Sequence, residues 1–167
     1  MIDHLQRFTL PAAYALLPPR LASPAASALL LAIGLQESRF LYRRQLEGGP
    51  ARGFWMFERG GGIVGVLTHP AVKDHLEDAL IDLRYEGAIG NPTYCHALVE
   101  DNDVLACVFA RLLLWTLPGD LPGRDDPTGG WRQYLEAWRP GKPHRETWTA
   151  FYAEAWSRVE ASRADDS

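Results

Sequence analysis

The chain has 167 residues, 47% of them hydrophobic, and a formal net charge of −4, which predicts a single soluble domain over residues 1–167. Basic and acidic residues are interspersed, and no basic cluster is longer than Arg43-Arg44, so a nucleic-acid partner is not expected. No apolar run reaches the roughly 20 residues of a membrane helix, and residues 1–10 lack the pattern of a signal peptide.

Helices separated by proline- and glycine-rich segments are predicted along the chain, without a repeat or strand-like alternation. A short first helix is expected over residues 11–17, ended by Pro18-Pro19. Ser23 before Pro24 is a helix start signal, because a serine hydroxyl caps free N–H groups and proline suits the first helical position. The helix from Pro24 to Gln36 carries leucines around its circumference, so it should lie at the centre of the domain.

A long loop follows this central helix. The segment from Arg39 to Gly62 holds six glycines and has little periodicity, with room for a short β segment. A loop of this length in a globular domain is usually functional or disordered, and its aromatic residues favour function. Gly60-Gly61-Gly62 lacks the Lys-Ser/Thr of a phosphate-binding loop and is interpreted as a flexible turn.

Two helices are predicted in the middle of the chain. Apolar residues at helical spacing predict an amphipathic helix from Val72 to Leu83. A second buried helix is expected from Val104 to Leu117, capped by Asp103 and stopped by Pro118-Gly119.

Two more helices are predicted near the C-terminus, and the fold class is therefore all-α. Asp126-Pro127 repeats the cap-and-proline start signal, and the helix that it begins carries one apolar stripe interpreted as core: Trp131, Tyr134, Leu135 and Trp138. The last helix is expected from His144 to Glu160, and residues 161–167 are expected to fray.

Cysteines and histidines give no pattern that indicates a cofactor. Cys95 and Cys107 are expected to be buried, reduced thiols. The spacings of His69, His75 and His96 match neither C-x2-C nor H-E-x-x-H, so neither a metal nor another cofactor is expected.

Glu37 ends the most hydrophobic helical run in the chain. A carboxyl group at the end of a buried helix lies in a low dielectric, which favours the neutral form and raises the pKa toward that of a general acid. An isolated Glu followed by Ser-Arg could instead be a surface carboxylate paired with Arg39 or Arg43. The apolar helix before Glu37 and the glycine-aromatic turn after it favour an acid that faces a cleft.

Two segments, Leu31-Ala-Ile-Gly-Leu-Gln-Glu37-Ser38-Arg39-Phe40 and Gly49-Pro50-Ala51-Arg52-Gly53-Phe54-Trp55-Met56-Phe57, resemble the lysozyme-like lytic transglycosylases, including those encoded by phages and prophages. In that family the catalytic Glu ends a buried helix, a Ser follows it, and a glycine-led turn ending in Gln comes later. Glu37, Ser38 and Gly53 match this pattern. The resemblance covers residues 25–57 and implies a lysozyme-like helical domain.

The resemblance implies a mechanism for cleaving peptidoglycan between N-acetylmuramic acid and N-acetylglucosamine. Glu37 would protonate the bridging oxygen and then act as the base, while Ser38 would orient Glu37 or the sugar. The C6 hydroxyl of the muramyl ring would attack its own C1, giving a 1,6-anhydro product without a second carboxylate.

The turn departs from the family pattern at one position, because Met56 stands where the family has Gln and offers no amide to hold a sugar or water. A third family element, Tyr-Asn-x-Gly, has only Trp138-Arg139-Pro140-Gly141 as a counterpart, which shares a single glycine with it.

Substrate-binding candidates come from the same turn: Arg52, Gly53, Phe54, Trp55 and Met56. Trp55 could stack on a sugar or lie in the core, and Arg52 could contact substrate or be a solvated loop residue. If water were the nucleophile, a second carboxylate would be needed about 6.5–9.5 Å from the acid for inversion, or about 5 Å for a covalent intermediate. Glu58 and Glu47 are the candidates for that carboxylate.

Three functions are consistent with these features. The first is a peptidoglycan-cleaving enzyme, made in the bacterial cytoplasm without a signal peptide and acting in the periplasm or cell wall after release or as a virion component. The second is a non-catalytic phage structural or accessory protein with a lysozyme-like fold, which binds glycan or a partner among virion or lysis proteins. The third is a cytosolic helical adaptor, which would leave Glu37 on an open surface.

Overall fold

The computed structural model describes residues 1–165 and confirms the all-α class. Its α-helices are Ile2–His4 (α1), Leu10–Ala15 (α2), Pro24–Ser38 (α3), Val64–Thr68 (α4), Lys73–Asp82 (α5), Pro92–Asp101 (α6), Asp103–Trp115 (α7), Pro127–Trp138 (α8) and Arg145–Asp165 (α9). Short 3₁₀ turns lie at Pro19–Leu21, Leu46–Gly48 and Glu86–Ala88, and π-helical turns at Leu5–Thr9 and Arg59–Ile63.

The predicted central helix is α3. The hydroxyl of Ser23 accepts a 3.0 Å hydrogen bond from the Ala26 N–H, which confirms the predicted cap. Every residue of α3 from Ala28 to Leu35 is buried, as the leucine distribution predicts. The helix α9 packs along α3 in the most extensive helix pairing of the fold. The end of α3 is thereby held by protein on several sides.

Glycine and a left-handed backbone shape the end of α3. Arg39 and Phe40 both have positive φ, at 54° and 55°, and turn the chain back on the helix. The Phe40 ring lies where a side chain at residue 34 would be, since a Cβ on Gly34 would come within 2.1 Å of that ring. The backbone at residues 39 and 40 and the packing of Phe40 on Gly34 therefore set the direction in which the chain leaves α3.

The N-terminal segment is more helical than predicted. Helical structure begins at Ile2 and continues through the π-helical turn to Ala15, instead of starting at residue 11. Leu5, Leu10 and Ala13 are buried, so packing of this apolar face accounts for the earlier start.

The predicted cap of α7 is wrong by one residue. Asn102, not Asp103, accepts the capping hydrogen bond, from the Leu105 N–H at 2.9 Å. Asp103 is the first helical residue, and its carboxylate pairs with the Arg43 guanidinium, with an Nη2–Oδ2 distance of 2.8 Å. The pairing ties the start of α7 to the loop after α3.

The structure adds two helices, α4 and α6, that the pattern analysis does not predict. The side chain of Asn91 caps α6 by accepting from the Tyr94 N–H at 3.0 Å, with Pro92 at the first helical position. Gly60-Gly61-Gly62 lies in the turn at Arg59–Ile63 that leads into α4, and Gly61 has non-helical φ and ψ of −101° and −105°. The glycines therefore form a kinked turn directly before α4.

The two C-terminal helices begin close to the predicted positions. Asp126 caps α8 as predicted, accepting a 2.8 Å hydrogen bond from the Gly129 N–H. The helix α9 extends to Asp165, beyond the expected end at Glu160, and the other residues of the expected frayed tail, 166 and 167, lie outside the described residues.

Candidate active site

Glu37 occupies the last turn of α3 and lines a large cleft with a volume of about 1250 Å³. Its side chain is partly buried, because the helix end is surrounded by protein while the cleft leaves one approach open. A side chain in this position meets solvent and substrate only from the cleft. The open-surface placement that a cytosolic adaptor predicts for Glu37 is not what the structure shows.

Tyr134 of α8 binds the carboxyl group of Glu37. Its hydroxyl donates a 2.5 Å hydrogen bond to Oε1 of Glu37. The Tyr134 ring is itself fixed, since it stacks on Trp148 at 5.4 Å between centroids and 11° between planes. Oε1 of Glu37 is therefore bound to a rigid donor, and Oε2 is not bound to Tyr134.

Burial raises the pKa of Glu37 from its usual 4.5 to about 7. The Tyr134 hydrogen bond opposes this shift because it stabilises the charged form, and the nearby negative charge of Glu58 adds to the shift. A carboxyl group with a pKa near 7 is protonated in a large share of molecules at neutral pH. It can therefore donate a proton at a pH where an ordinary Glu is ionised.

The cleft walls combine aromatic, polar and charged side chains from four regions of the chain. Those with polar or aromatic groups include Gln36, Tyr42, Gln45, Glu58, His69, Tyr134, Glu136, Trp138, Arg139 and Lys142. Trp138 is fixed at the wall by a 2.8 Å hydrogen bond from its indole N–H to the Trp55 carbonyl oxygen. A ring held in this way offers an aromatic surface to a ligand in the cleft.

The two candidate second carboxylates differ in position. Glu58 lines the same cleft as Glu37, is exposed, and lies near enough for its charge to raise the pKa of Glu37. Glu47 is exposed in the 3₁₀ turn at Leu46–Gly48 and is not among the cleft-lining residues. Of the two candidates, Glu58 is the one that lies in the same cleft as Glu37.

The glycine-aromatic turn is a tight hairpin behind the cleft. Arg52 and Phe57 exchange two backbone hydrogen bonds of 3.0 and 2.8 Å, and the Met56 N–H bonds to the Gly53 carbonyl at 3.0 Å. Strand pairing in residues 1–165 is confined to two isolated bridges, Arg44 with Arg52 and Arg52 with Phe57. The expected β segment is thus a single hairpin turn.

Gly53 is required by the packing of this turn. Its φ is +74°, and a Cβ there would lie 2.5 Å from the backbone oxygen of Val99 in α6. The glycine lets the hairpin approach α6 closely, and it does not line the cleft.

Phe54 and Trp55 lie in the core rather than in the cleft. Trp55 has 0% exposure, and its indole N–H donates a 2.8 Å hydrogen bond to the Leu30 carbonyl oxygen in α3. Phe54 is 2% exposed and packs against Phe40 edge to face. Of the two positions considered for Trp55, sugar stacking and the core, the structure shows the core.

Ser38 and Arg52 also have structural partners. The Ser38 hydroxyl is buried and donates a 2.7 Å hydrogen bond to the Phe54 carbonyl oxygen, which ties the end of α3 to the hairpin. The Arg52 guanidinium pairs with Glu100 of α6 at 3.1 Å and bonds to the carbonyl oxygens of Gly49 and Ala51. Neither side chain lines the cleft.

Met56 is the one side chain of the predicted substrate-binding set that lines the cleft. Its backbone is left-handed, with φ of 49°, which turns the residue out of the hairpin. Met56 therefore adds an apolar thioether to a lining that also contains Glu37 and Glu58.

The sequence analysis missed the roles of Tyr134 and Trp138. Both were assigned to a core stripe because they lie at helical spacing with Trp131 on α8. Their polar groups are the missed signal, since a buried phenol or indole needs a hydrogen-bond partner. Arg139, Pro140 and Gly141, which follow Trp138, also line the cleft.

Nothing in residues 1–165 groups three or more His, Cys, Asp or Glu side chains into an arrangement that could hold a metal ion. Cys95 and Cys107 are free thiols in the core. Among the described helices, none combines the length and the apolar character needed to cross a membrane.

Fold and site together define a helical protein with a cleft-facing carboxyl group that can act as an acid near neutral pH. Comparisons with protein-family models, with curated proteins and with solved structures found no match to this chain.

Proposed function

We propose that this protein cleaves the glycan strands of peptidoglycan at the bond between N-acetylmuramic acid and N-acetylglucosamine, with Glu37 as general acid and base. The observation that carries the proposal is the Glu37 carboxyl group, whose pKa of about 7 leaves a large share of it protonated at neutral pH, at the wall of a cleft of about 1250 Å³. The choice of peptidoglycan rests on the resemblance of residues 25–57 to lytic transglycosylases.

The first step transfers the Glu37 proton to the bridging oxygen as the bond from that oxygen to C1 of the muramyl ring breaks. Tyr134 donates to Oε1 and stabilises the carboxylate that this step creates. Glu37 is then the base for the second step, in which the C6 hydroxyl of the same ring bonds to C1 and returns its proton to Glu37. The product is a 1,6-anhydro sugar, and no water is consumed.

Glu58 offers a route to hydrolysis in the same cleft. Its exposed carboxylate faces solvent and could accept a proton from a water molecule that attacks C1, giving a reducing end. The two routes differ in their products and in their need for Glu58.

Digestion of purified peptidoglycan by the wild type, Glu37→Gln and Glu58→Gln tests the proposal, with soluble products identified by mass spectrometry. Anhydro products from the wild type and Glu58→Gln, but not from Glu37→Gln, are expected for a transglycosylase. Reducing ends that disappear in Glu58→Gln would indicate hydrolysis. Glu47→Gln is the matched control, because it removes an exposed carboxylate that does not line the cleft.

Met56 favours a second candidate, a non-catalytic phage structural or accessory protein that binds glycan or a partner protein in the same cleft. The residue lines the cleft and provides a thioether where the resembling family has an amide. This candidate predicts that folded wild type binds glycan strands without releasing products. Met56→Gln would then be the first variant in which to look for a gain of cleavage.

A further inference from the structure

A cationic segment lines the cleft directly after α8. Among the Lys and Arg side chains of residues 1–165, only Arg139 and Lys142 belong to the cleft lining. Both are exposed, and they lie between Trp138, at the cleft wall, and His144, where the chain turns toward α9. Positive charge at the cleft is therefore concentrated in one short stretch of chain.

Neither of these two cations has a carboxylate partner in the described part of the protein. The Arg139 Nε donates a weak 3.4 Å hydrogen bond to the backbone oxygen of Glu136, which leaves its two terminal amino groups open. Other arginines of the protein are neutralised: Arg43 pairs with Asp103, and Arg52 with Glu100. Arg139 and Lys142 are thus free to bind an anion from the cleft.

The segment is fixed close to the acid by hydrogen bonds at its far end. The side-chain amide of Gln36, the residue before Glu37, donates to the His144 carbonyl oxygen at 2.9 Å. The Gln36 amide oxygen accepts from the Thr147 hydroxyl at 3.1 Å. At the near end, Trp138 is held by its bond to Trp55. The cations therefore sit in a stretch that is tied at both ends to the structure around Glu37.

The cleft also contains carboxyl groups. Glu58 and Glu136 are exposed cleft residues, and Glu37 adds a third carboxyl group. An ionised carboxylate repels a negatively charged substituent, whereas Arg139 and Lys142 attract it. Within the cleft, an anionic group of a ligand is therefore favoured next to these two cations.

We propose that Arg139 and Lys142 bind a carboxylate on the muramyl substituent of the glycan strand and so select acidic glycans over neutral ones. This inference rests on the proposed glycan-cleaving function and adds a specificity determinant to it. The shared chemistry is a carboxylate near the sugar ring, which comes from the lactyl ether when the stem peptide is absent and from the peptide when it is present. Chitin has the same backbone linkage but lacks any carboxylate.

Binding to oligosaccharides by calorimetry tests the subsite in the Glu37→Gln protein, which should not turn substrate over. The probes are a peptidoglycan tetrasaccharide without stem peptides, the same tetrasaccharide with its peptides, and chitotetraose. We expect the tetrasaccharides that bear carboxylates to bind more tightly than chitotetraose. Tighter binding without the stem peptides identifies the lactyl carboxylate as the ligand, and tighter binding with them identifies a carboxylate of the peptide. Adding Arg139→Gln and Lys142→Gln should reduce that preference about tenfold, since two exposed ion pairs contribute about 1–2 kcal/mol.

Two controls separate this subsite from general charge effects and from folding. Arg132→Gln removes an exposed cation of α8 that does not line the cleft, and should leave the preference unchanged. Arg139→Lys keeps the positive charge, and this variant should retain most of the preference for acidic probes. If the double variant lost the preference only because it failed to fold, the charge at residue 139 would make no such difference.

The outcomes distinguish the subsite from the proposed function. Equal binding of acidic and neutral probes, with cleavage by the wild type intact, overturns the subsite and leaves the function standing. A preference that survives the double variant also overturns it. Absence of both binding and cleavage of every glycan overturns the function and the subsite together.

Discussion

The Tyr134 hydroxyl lies 2.5 Å from Oε1 of Glu37 and joins α8 to the end of α3 at the cleft wall. The two residues are 97 positions apart in the chain, so the contact depends on the packing of the whole helical domain. It is also the only side-chain hydrogen bond of the Glu37 carboxyl group in the described residues. The chemistry of this carboxyl group is therefore set by burial, by one phenol and by the charge of Glu58.

The contribution of Glu37 to the stability of the wild type should fall as the pH rises from about 4.5 to about 7. The Glu37 pKa is near 4.5 in the unfolded chain and about 7 in the fold, so in this range only the folded state keeps the proton. Glu37→Gln removes the cost of a buried charge and should be more stable than the wild type by about 1–3 kcal/mol at pH 8. Chemical denaturation at pH 4 and pH 8 measures this difference, which should shrink at pH 4.

Glycan cleavage should decline above about pH 7, as Glu37 loses the proton that it must donate. Glu58→Gln removes a negative charge that raises the Glu37 pKa, so the alkaline limb of the pH profile should move to lower pH. Rate profiles from pH 5 to pH 9 measure the shift. Glu47→Gln, outside the cleft lining, should leave the limb where it is, and an equal shift in both variants would contradict the assignment to Glu58.

Tyr134→Phe should move the same limb in the opposite direction. The phenol stabilises the charged form of Glu37, and without it the pKa of Glu37 should rise further above its ordinary value. Maximal activity should also fall, because the carboxyl group loses its fixed orientation. Tyr94→Phe is a suitable control, since Tyr94 is exposed and does not line the cleft.

A side chain at Gly53 should destabilise the protein more than one at Gly48. Gly53→Ala places a Cβ 2.5 Å from the Val99 oxygen and also strains a φ of +74°. Gly48→Ala strains a similar φ of +78° but meets nothing within 4 Å. We expect Gly48→Ala to cost about 1 kcal/mol and Gly53→Ala clearly more, as measured by thermal unfolding, and equal costs would show that α6 yields to the clash.

Local signals in the sequence predicted much of the helical framework. The caps of α3 and α8, Ser23 and Asp126, could be predicted because a helix cap depends only on residues within one helical turn. The buried character of α3 followed from leucines on all its faces. The start of α7 was misplaced because Asn102 and Asp103 are both good caps; in the structure Asn102 accepts the capping hydrogen bond, while Asp103 pairs with Arg43, which is distant in the chain.

The site was predictable only in part, because some of its contacts join residues that are far apart in the chain. Glu37 could be found because it ends the most hydrophobic helix of the chain, whose surroundings were expected to be protein. Tyr134 could not, since its spacing on α8 resembles that of any core aromatic residue. Trp55 carried no sign that the Leu30 carbonyl oxygen would accept its indole N–H and hold it in the core.

The separation between Glu37 and Tyr134 has a consequence for incomplete or damaged copies of the protein. A chain in which α3 has formed but α8 and α9 have not docked leaves Glu37 in water, where a carboxyl group keeps its ordinary pKa and is ionised at neutral pH. Such a chain has no proton to donate. If Glu37 is the proposed acid, folding intermediates and proteolytic fragments in which α8 and α9 are not docked should be inactive.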